Sequence, residues 1–226
     1  MKTEGYTDYI PHPAFEFDGS KAGIWVGKFE SSGSTSEVKI IPNTGSLRNV
    51  TVGQIFTACQ GVKTTHGLTA GDTHMMKNTE WGACLYLAES KYGRNGTEVT
   101  KNSSSSYYTG GGNSDEYKTT NAVQSTTGNI YGIYDMKGGS WEYVAGIQSS
   151  YKSNGSYYNF SNSTTYPNKY FDWYTNYTES KKIKGDGVYE TSTSGSNSTS
   201  WHSGYSNFVS SSYPVFIRSR SWHGCR

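Results

Sequence analysis

Apolar residues recur at helical spacing in two stretches of the sequence. The first stretch carries four of them at i, i+3, i+4 and i+7: Val52, Ile55, Phe56 and Cys59. That spacing places them on one face of a helix, for which Gly61 is the expected C-terminal stop. A second helix is predicted over residues 79–92, with Asn78 as its N-cap and Gly93 as its stop. The expected buried stripe of this second helix is Trp81, Cys84, Leu85 and Ala88.

Shorter apolar stretches predict strands, and long polar segments separate them. Residues 23–30 (GIWVGKFE) have apolar side chains on both faces, as in a buried strand, and residues 37–41 predict a second short strand. Three segments rich in Ser, Thr, Asn and Gly are expected to be surface loops: residues 94–127, 151–168 and 191–200. Because the apolar stretches are scattered along the chain, we expect them to form one shared core, as a single domain over residues 1–226.

Composition narrows the classes of function. The chain has 20 Tyr, a residue that suits surfaces as well as cores because its ring carries a hydroxyl. The net charge of +2, with no long Lys/Arg run, does not supply the basic stripe of a nucleic-acid-binding protein. No apolar run predicts a membrane span. The cysteines Cys59, Cys84 and Cys225 form no CxxC motif, so a disulfide scaffold is not expected.

Three motifs carry a resemblance to a known family. They are residues 74–93 (HMMKNTEWGACLYLAESKYG), residues 128–146 (GNIYGIYDMKGGSWEYVAG) and residues 216–222 (FIRSRSW). In the same order, they resemble the EAEWEYAARGG-type element, the GLYDMSGNVWEWVAD signature and the VLRGGSW signature of formylglycine-generating enzymes, the sulfatase-modifying factor family. Residues 12–30 are similar to bacterial and phage-associated members of this group.

This resemblance implies an α+β, C-type-lectin-like fold. Such a domain has much irregular structure, two main helices and short antiparallel strands. The same fold serves the variable proteins of diversity-generating retroelements, which display a ligand-binding surface on a fixed scaffold. A bacterial cell surface or a phage particle is therefore the expected location. Relatives continue past the last signature, so the resemblance also implies that this domain is truncated at its C terminus.

The central motif offers oxygen atoms for a hard cation. Asp135 and Glu142 bracket a turn at residues 138–139, and the Gly-rich backbone between them provides carbonyl groups. The resemblance implies calcium at this turn, held by Asp135, the carbonyls of Gly138 and Ser140, and Glu142. In the alternative interpretation, Asp135 caps the turn and Glu142 accepts hydrogen bonds from neighbouring backbone amides.

The catalytic residues of the resembled enzymes are poorly matched. Those enzymes use a pair of cysteines just after the RGGSW signature. Here Ser219 and Arg220 replace the two glycines, and only Cys225 follows. The five histidines are dispersed without ligand spacing, and no G-x-S-x-G motif is present. The chain is therefore not expected to be an enzyme.

The sequence favours a noncatalytic domain that binds or displays a ligand. Loops rich in Tyr, Ser, Asn and Gly resemble antibody loops in composition, and the expected partner is a protein or a glycan. The candidate contact residues are Tyr107, Tyr108, Tyr170, Trp173, Tyr174, Trp201 and Trp222. For each of these residues, ordinary packing between loop and core is the alternative. The competing functions are an oxidoreductase of the formylglycine-generating type and a structural part of a phage tail or surface appendage.

Overall fold

The structure combines two α-helices with short strands. The computed structural model describes residues 12–17, 23–68, 70–149, 168–175, 182–192, 202–210 and 213–219. Within these ranges the helices are α1 (Val52–Thr65) and α2 (Asn78–Glu89). The strands are β1 (Ser32–Gly33), β2 (Val38–Lys39), β3 (Glu142–Gln148), β4 (Asp172–Tyr174), β5 (Thr191–Ser192), β6 (His202–Asn207) and β7 (Val215–Arg218). The α+β class expected from the sequence is thereby confirmed.

Helix α1 begins as its sequence dictates but continues beyond the expected stop. Thr51 Oγ1 accepts a hydrogen bond from Gln54 N, and Gln54 Oε1 accepts one from Thr51 N, which forms a capping box. Gly61 lies inside the helix. The chain leaves the helix at Gly67, whose φ of 66° is left-handed, while Leu68 N donates to Lys63 O. This Schellman arrangement satisfies the last carbonyls, so the predicted stop at Gly61 was wrong.

Helix α2 carries the predicted buried stripe, since Trp81, Cys84, Leu85 and Ala88 are all buried. Its ends differ from the prediction. Lys77 is the N-cap residue, and Glu80 in the first turn accepts a hydrogen bond from Lys77 N at 2.8 Å. Asn78 is the first helical residue and is fully buried, because its side chain bonds to the sheet. The helix ends at Glu89 rather than at residue 92.

Strand β7 lies at the centre of a five-stranded sheet with the order β4-β3-β7-β6-β5. It pairs antiparallel with both of its neighbours, β3 and β6. The outer pairs β3–β4 and β5–β6 are parallel. Only part of the sheet therefore follows the antiparallel pattern expected from the resemblance. Strands β1 and β2 form a separate antiparallel pair.

Two apolar clusters meet at β3. Val144 packs in the first cluster with Trp81, Leu85 and Phe216. The next residue, Ala145, belongs to the second cluster, as does Ile147; α1 contributes Val52 and Phe56 to this cluster. Successive side chains of a strand point to opposite faces, so β3 joins the core beneath α2 to the core beneath α1. None of the helices in the described ranges is both long and apolar enough to cross a membrane.

Two segments differ from their predicted structure. Residues 23–30 form no strand; Trp25 is 103% exposed, whereas Phe29 is buried. Residues 94–127 contain no α-helix and lie largely at the surface as predicted, but Asn102 and Thr109 are almost fully buried there. Their side chains satisfy the backbone of nearby segments, with Asn102 Nδ2 donating to Tyr108 O and Thr109 Oγ1 donating to Ile41 O. Internal hydrogen bonds of this kind allow a polar segment to be buried.

Candidate functional site

The turn between Asp135 and Glu142 needs glycine at two positions. Gly138 and Gly139 have φ values of 83° and 66°. A Cβ atom on Gly138 would lie 2.1 Å from Asn102 O, and one on Gly139 would lie 2.7 Å from Glu30 Oε1. The predicted tight turn is confirmed, and it packs directly against two other segments of the chain.

The Asp135 carboxylate binds three separate segments. It accepts hydrogen bonds from Glu30 N at 3.3 Å, from Asn102 Nδ2 at 2.9 Å and from Gly110 N at 3.0 and 3.1 Å. Asp135 is 1% exposed and has a left-handed φ of 66°. Burial raises the pKa of Asp135, while these hydrogen bonds favour its ionised form. A buried acceptor with several N–H donors fixes the relative position of the loops that supply them.

Two further carboxylates surround the turn. Glu30 accepts hydrogen bonds from Ser140 N and from the hydroxyl of Ser46, and Glu142 Oε2 accepts one from Trp81 Nε1 at 3.3 Å. Burial, together with the charges of Asp135 and Glu142, raises the pKa of Glu30 well above its ordinary value. Burial and the charge of Asp135 raise the pKa of Glu142 to about 8. Both glutamates therefore hold protons more tightly than they would in water.

These groups do not fit a calcium site. The oxygens of Asp135 face N–H donors, the carbonyl of Gly138 accepts a hydrogen bond from Ser219 Oγ at 2.8 Å, and Ser140 presents its N–H to Glu30. Calcium needs six to eight oxygen ligands with free lone pairs. Among the described residues, no group of three or more His, Cys, Asp or Glu side chains is arranged to hold a metal ion. Calcium binding stays a prediction. The capping alternative is not matched in detail either, because the donors to Asp135 lie in distant segments and Glu142 accepts from the Trp81 indole rather than from a backbone amide.

Arg218, in the third motif, is a buried residue whose role the sequence did not reveal. It is 0% exposed, and its guanidinium lies 4.2 Å from the Trp81 ring. Its acceptors are Asn78 Oδ1 (2.8 Å), Asp186 O (2.6 Å), Ser206 Oγ (2.6 Å), Thr191 Oγ1 (3.0 Å) and Gly187 O (3.3 Å). Burial lowers the pKa of Arg218 to about 10, which still leaves it charged at neutral pH. The rigid fork of guanidinium donors thereby joins α2, β6 and the segment 186–191.

Tyr107 and Tyr108 lie on one loop with their rings half-buried. The guanidinium of Arg48 lies 4.2 Å from the centre of the Tyr107 ring. Tyr107 O accepts a hydrogen bond from Ser46 N, and Tyr108 O accepts one from Asn102 Nδ2, which also bonds to Asp135. The backbone that carries these two rings is therefore held by the same network as the turn.

The other candidate contact residues divide into three groups. Tyr170 and Trp173 are half-buried, and Tyr170 OH donates to Asp72 Oδ1 at 2.8 Å. Tyr174 is 0% exposed and its hydroxyl bonds to Asn78 and Asp186, so its assignment as a contact residue was wrong. Its ring fills the core between β4 and α2. Trp201 and Trp222 lie outside the described residues.

The other reactive side chains are either ion-paired or buried. Lys137 Nζ donates to Glu98 Oε1 and to Ser203 Oγ, both at 2.7 Å, so this lysine forms an ion pair with Glu98. Burial lowers the pKa of the neighbouring His202 to about 4. Burial also raises the pKa of Cys59 to about 11 and that of Cys84 to about 12, whereas a nucleophilic thiol needs a depressed pKa. Cys225 lies outside the described residues.

Comparison with known proteins adds no family assignment. No protein-family model matches the chain, and no curated protein matches it significantly. The resemblance to formylglycine-generating enzymes therefore rests on the three motifs. Within the described residues, those motifs form α2, the turn that leads into β3, and β7 with Ser219.

Proposed function

We propose that this chain is a noncatalytic ligand-binding or display domain with a C-type-lectin-like fold. One observation carries the proposal: the buried Asp135 carboxylate holds three loop segments together, and the half-buried Tyr107 and Tyr108 lie on the segment between Asn102 and Gly110. A rigid scaffold with exposed loops is the arrangement on which proteins commonly place binding residues. Tyr107 and Tyr108 are the proposed contact residues of this loop.

The chemistry of tyrosine supports binding to a protein or a glycan. Tyrosine offers a large contact area at a low cost in side-chain entropy, and its hydroxyl forms hydrogen bonds with polar ligands. The backbone of the Tyr107 loop is already fixed by Ser46 and Asn102, so little ordering is needed on binding. Arg48, stacked on Tyr107, adds a positive charge beside the rings.

The reactive groups of the described residues support binding over catalysis. The carboxylates at the turn accept hydrogen bonds that hold the fold, Lys137 is paired with Glu98, and the two described thiols are protonated at neutral pH. Oxidation of the formylglycine-generating type needs a pair of reactive cysteines. Copper-dependent oxidation of a cysteine peptide, lost in Cys225→Ser, would establish that alternative and overturn the proposal.

Arrays of purified glycans and purified proteins test the binding function. The double variant Tyr107→Asn/Tyr108→Asn removes both rings, and asparagine tolerates the left-handed φ of 57° at position 107. Tyr92→Asn is the matched control, because Tyr92 is 51% exposed on the turn that follows α2. We expect the double variant to lose at least about tenfold in affinity, which corresponds to about 1.4 kcal/mol.

The control variant is expected to bind like the parent chain. Thermal melts of all three proteins establish that the variants are folded. Equal affinity for the double variant and the parent would contradict the assignment of this loop. The absence of any ligand on both arrays would contradict the binding function itself.

A further inference from the structure

The imidazole of His74 lies between two oxygen acceptors. Its Nε2 is 3.0 and 3.1 Å from the two carboxylate oxygens of Glu80, and its Nδ1 is 3.2 Å from Asp72 O. A backbone carbonyl and an ionised carboxylate only accept hydrogen bonds. Neutral imidazole has one N–H and one lone pair, so it can satisfy only one of these two oxygen groups. The doubly protonated ring satisfies both.

Asp72 connects this histidine to a proposed contact residue. Its side chain accepts hydrogen bonds from Tyr170 OH at 2.8 Å and from Lys169 Nζ at 2.7 Å. The His74 and Tyr170 rings also lie near one another, with their centres 5.6 Å apart. On the opposite side, Glu80 belongs to the first turn of α2 and accepts a hydrogen bond from Lys77 N. His74 therefore joins a fixed helix end to the segment that positions Tyr170.

We propose that His74 is a proton-binding site that controls the position of the Tyr170 side chain. Protonated His74 ties the backbone of Asp72 to Glu80, and Asp72 in turn holds Tyr170 and Lys169. When the proton leaves, one ring nitrogen presents a lone pair to an oxygen atom, and the Asp72 segment separates from α2. The inference rests on the proposed function only in treating Tyr170 as a contact residue.

The charges around the ring favour the protonated form. Glu80 on α2 and Asp72 on the loop of His74 are negative, whereas Lys169 is positive but paired with Asp72. Lys77 and Asp172 are further charges beside Glu80. The hydrogen bond to Glu80 raises the pKa of His74 above its ordinary value, against the effect of burial. The interaction is therefore complete below pH 6.5 and is lost as pH rises through the pKa of the folded protein.

Nuclear magnetic resonance of the full chain tests this proposal without a ligand. The ring signals of His74 and Tyr170 are followed from pH 5.5 to 8.5, and are assigned by their loss in His74→Gln and Tyr170→Phe. We expect both rings to shift with the same midpoint, which lies above 6.5. Glu80→Gln keeps an acceptor for Lys77 N but removes the charge, and is expected to lower the pKa of His74.

In His74→Gln, the Tyr170 signals are expected to lose their dependence on pH. His66→Gln is the matched control, since His66 bonds through one ring nitrogen to Val38 O and contacts neither Asp72 nor Glu80 in the described hydrogen bonds. This control should leave the Tyr170 transition unchanged. Tyr170 signals that ignore the titration of His74, or an unchanged His74 midpoint in Glu80→Gln, would overturn the proposal. Neither result depends on the array experiment, so the two proposals fail separately.

Discussion

Replacing Arg218 by methionine tests how far the buried polar network stabilises the fold. Met has a similar length and no charge, so Arg218→Met removes the guanidinium but largely fills its volume. The variant removes the guanidinium donor from five acceptors, among them Asn78 Oδ1 and Asp186 O. Both oxygens lie in a region from which water is excluded, since Asn78 and Asp186 are at most 1% exposed. An unsatisfied buried polar group costs about 1–3 kcal/mol.

The expected loss of unfolding free energy follows from these contacts. Removing one partner of a buried charged network costs about 3–5 kcal/mol, and burial of the Met side chain offsets part of this loss. We therefore expect Arg218→Met to destabilise the protein by about 3–5 kcal/mol. Arg48→Met is the matched control, because Arg48 is exposed and stacks on Tyr107 at 4.2 Å. An exposed cation–π contact of this kind contributes about 0.5–1 kcal/mol.

Urea denaturation followed by tryptophan fluorescence measures both variants at pH 7. A difference of less than about 1 kcal/mol between the two would refute the reasoning, since buried and exposed arginine would then be equivalent. If Arg218→Met does not fold, Arg218→Lys is measured in its place. Lysine keeps the charge but cannot reach acceptors in several directions, so its stability is expected to lie between those of the parent and the methionine variant.

Three other predictions concern the turn. Glu142→Gln should raise the free energy of unfolding at pH 8 by about 1–3 kcal/mol, measured by urea unfolding. The pKa of Glu142 is about 8 in the folded protein, so the parent loses stability as pH rises from 4.5 to 8. A variant less stable than the parent at pH 8 would contradict this. Gly138→Ala should lower the free energy of unfolding by at least about 3 kcal/mol. Gly96→Ala is the control and should lower it by about 1 kcal/mol, because Gly96 has a similar φ of 80° but open space around it. Equal losses in urea unfolding would show that packing against Asn102 O is unimportant. Asp135→Asn should lower Tm equally with and without calcium, because its amide would face N–H donors; a rise in Tm with calcium that only the parent shows would instead establish a metal site.

Local patterns in the sequence predict the elements whose structure depends on near neighbours. The stripe of Trp81, Leu85 and Ala88 is buried as expected, because helical spacing alone places these residues on one face. The tight turn at Gly138 was also predicted, because two adjacent glycines permit left-handed backbone. In both cases the relevant information lies within a few residues.

The predictions that were wrong concern residues whose structure depends on partners far away in the sequence. Asn78 has the side chain of a good N-cap, but Arg218, 140 residues away, binds it and draws it into the core. Tyr174 resembles a surface tyrosine in the sequence, but in the structure its hydroxyl is hydrogen-bonded to Asn78 and Asp186. Residues 23–30 are apolar enough for a buried strand, but the Trp25 side chain points to solvent. Their backbone bonds instead to the segment that precedes the turn, with Lys28 O accepting from Tyr134 N and Glu30 N donating to Asp135. No local pattern contains these partners.

The buried carboxylate Asp135 explains how a polar chain can hold long loops in place. Its donors come from Glu30, 105 residues earlier, and from Asn102 and Gly110. Two of the three are backbone N–H groups, which every residue except proline supplies. The network therefore constrains the path of the loops while placing few demands on their side chains. Substitutions at Tyr107 or Tyr108 should change what the surface contacts without changing how the loop is held, which is the property that a display scaffold requires.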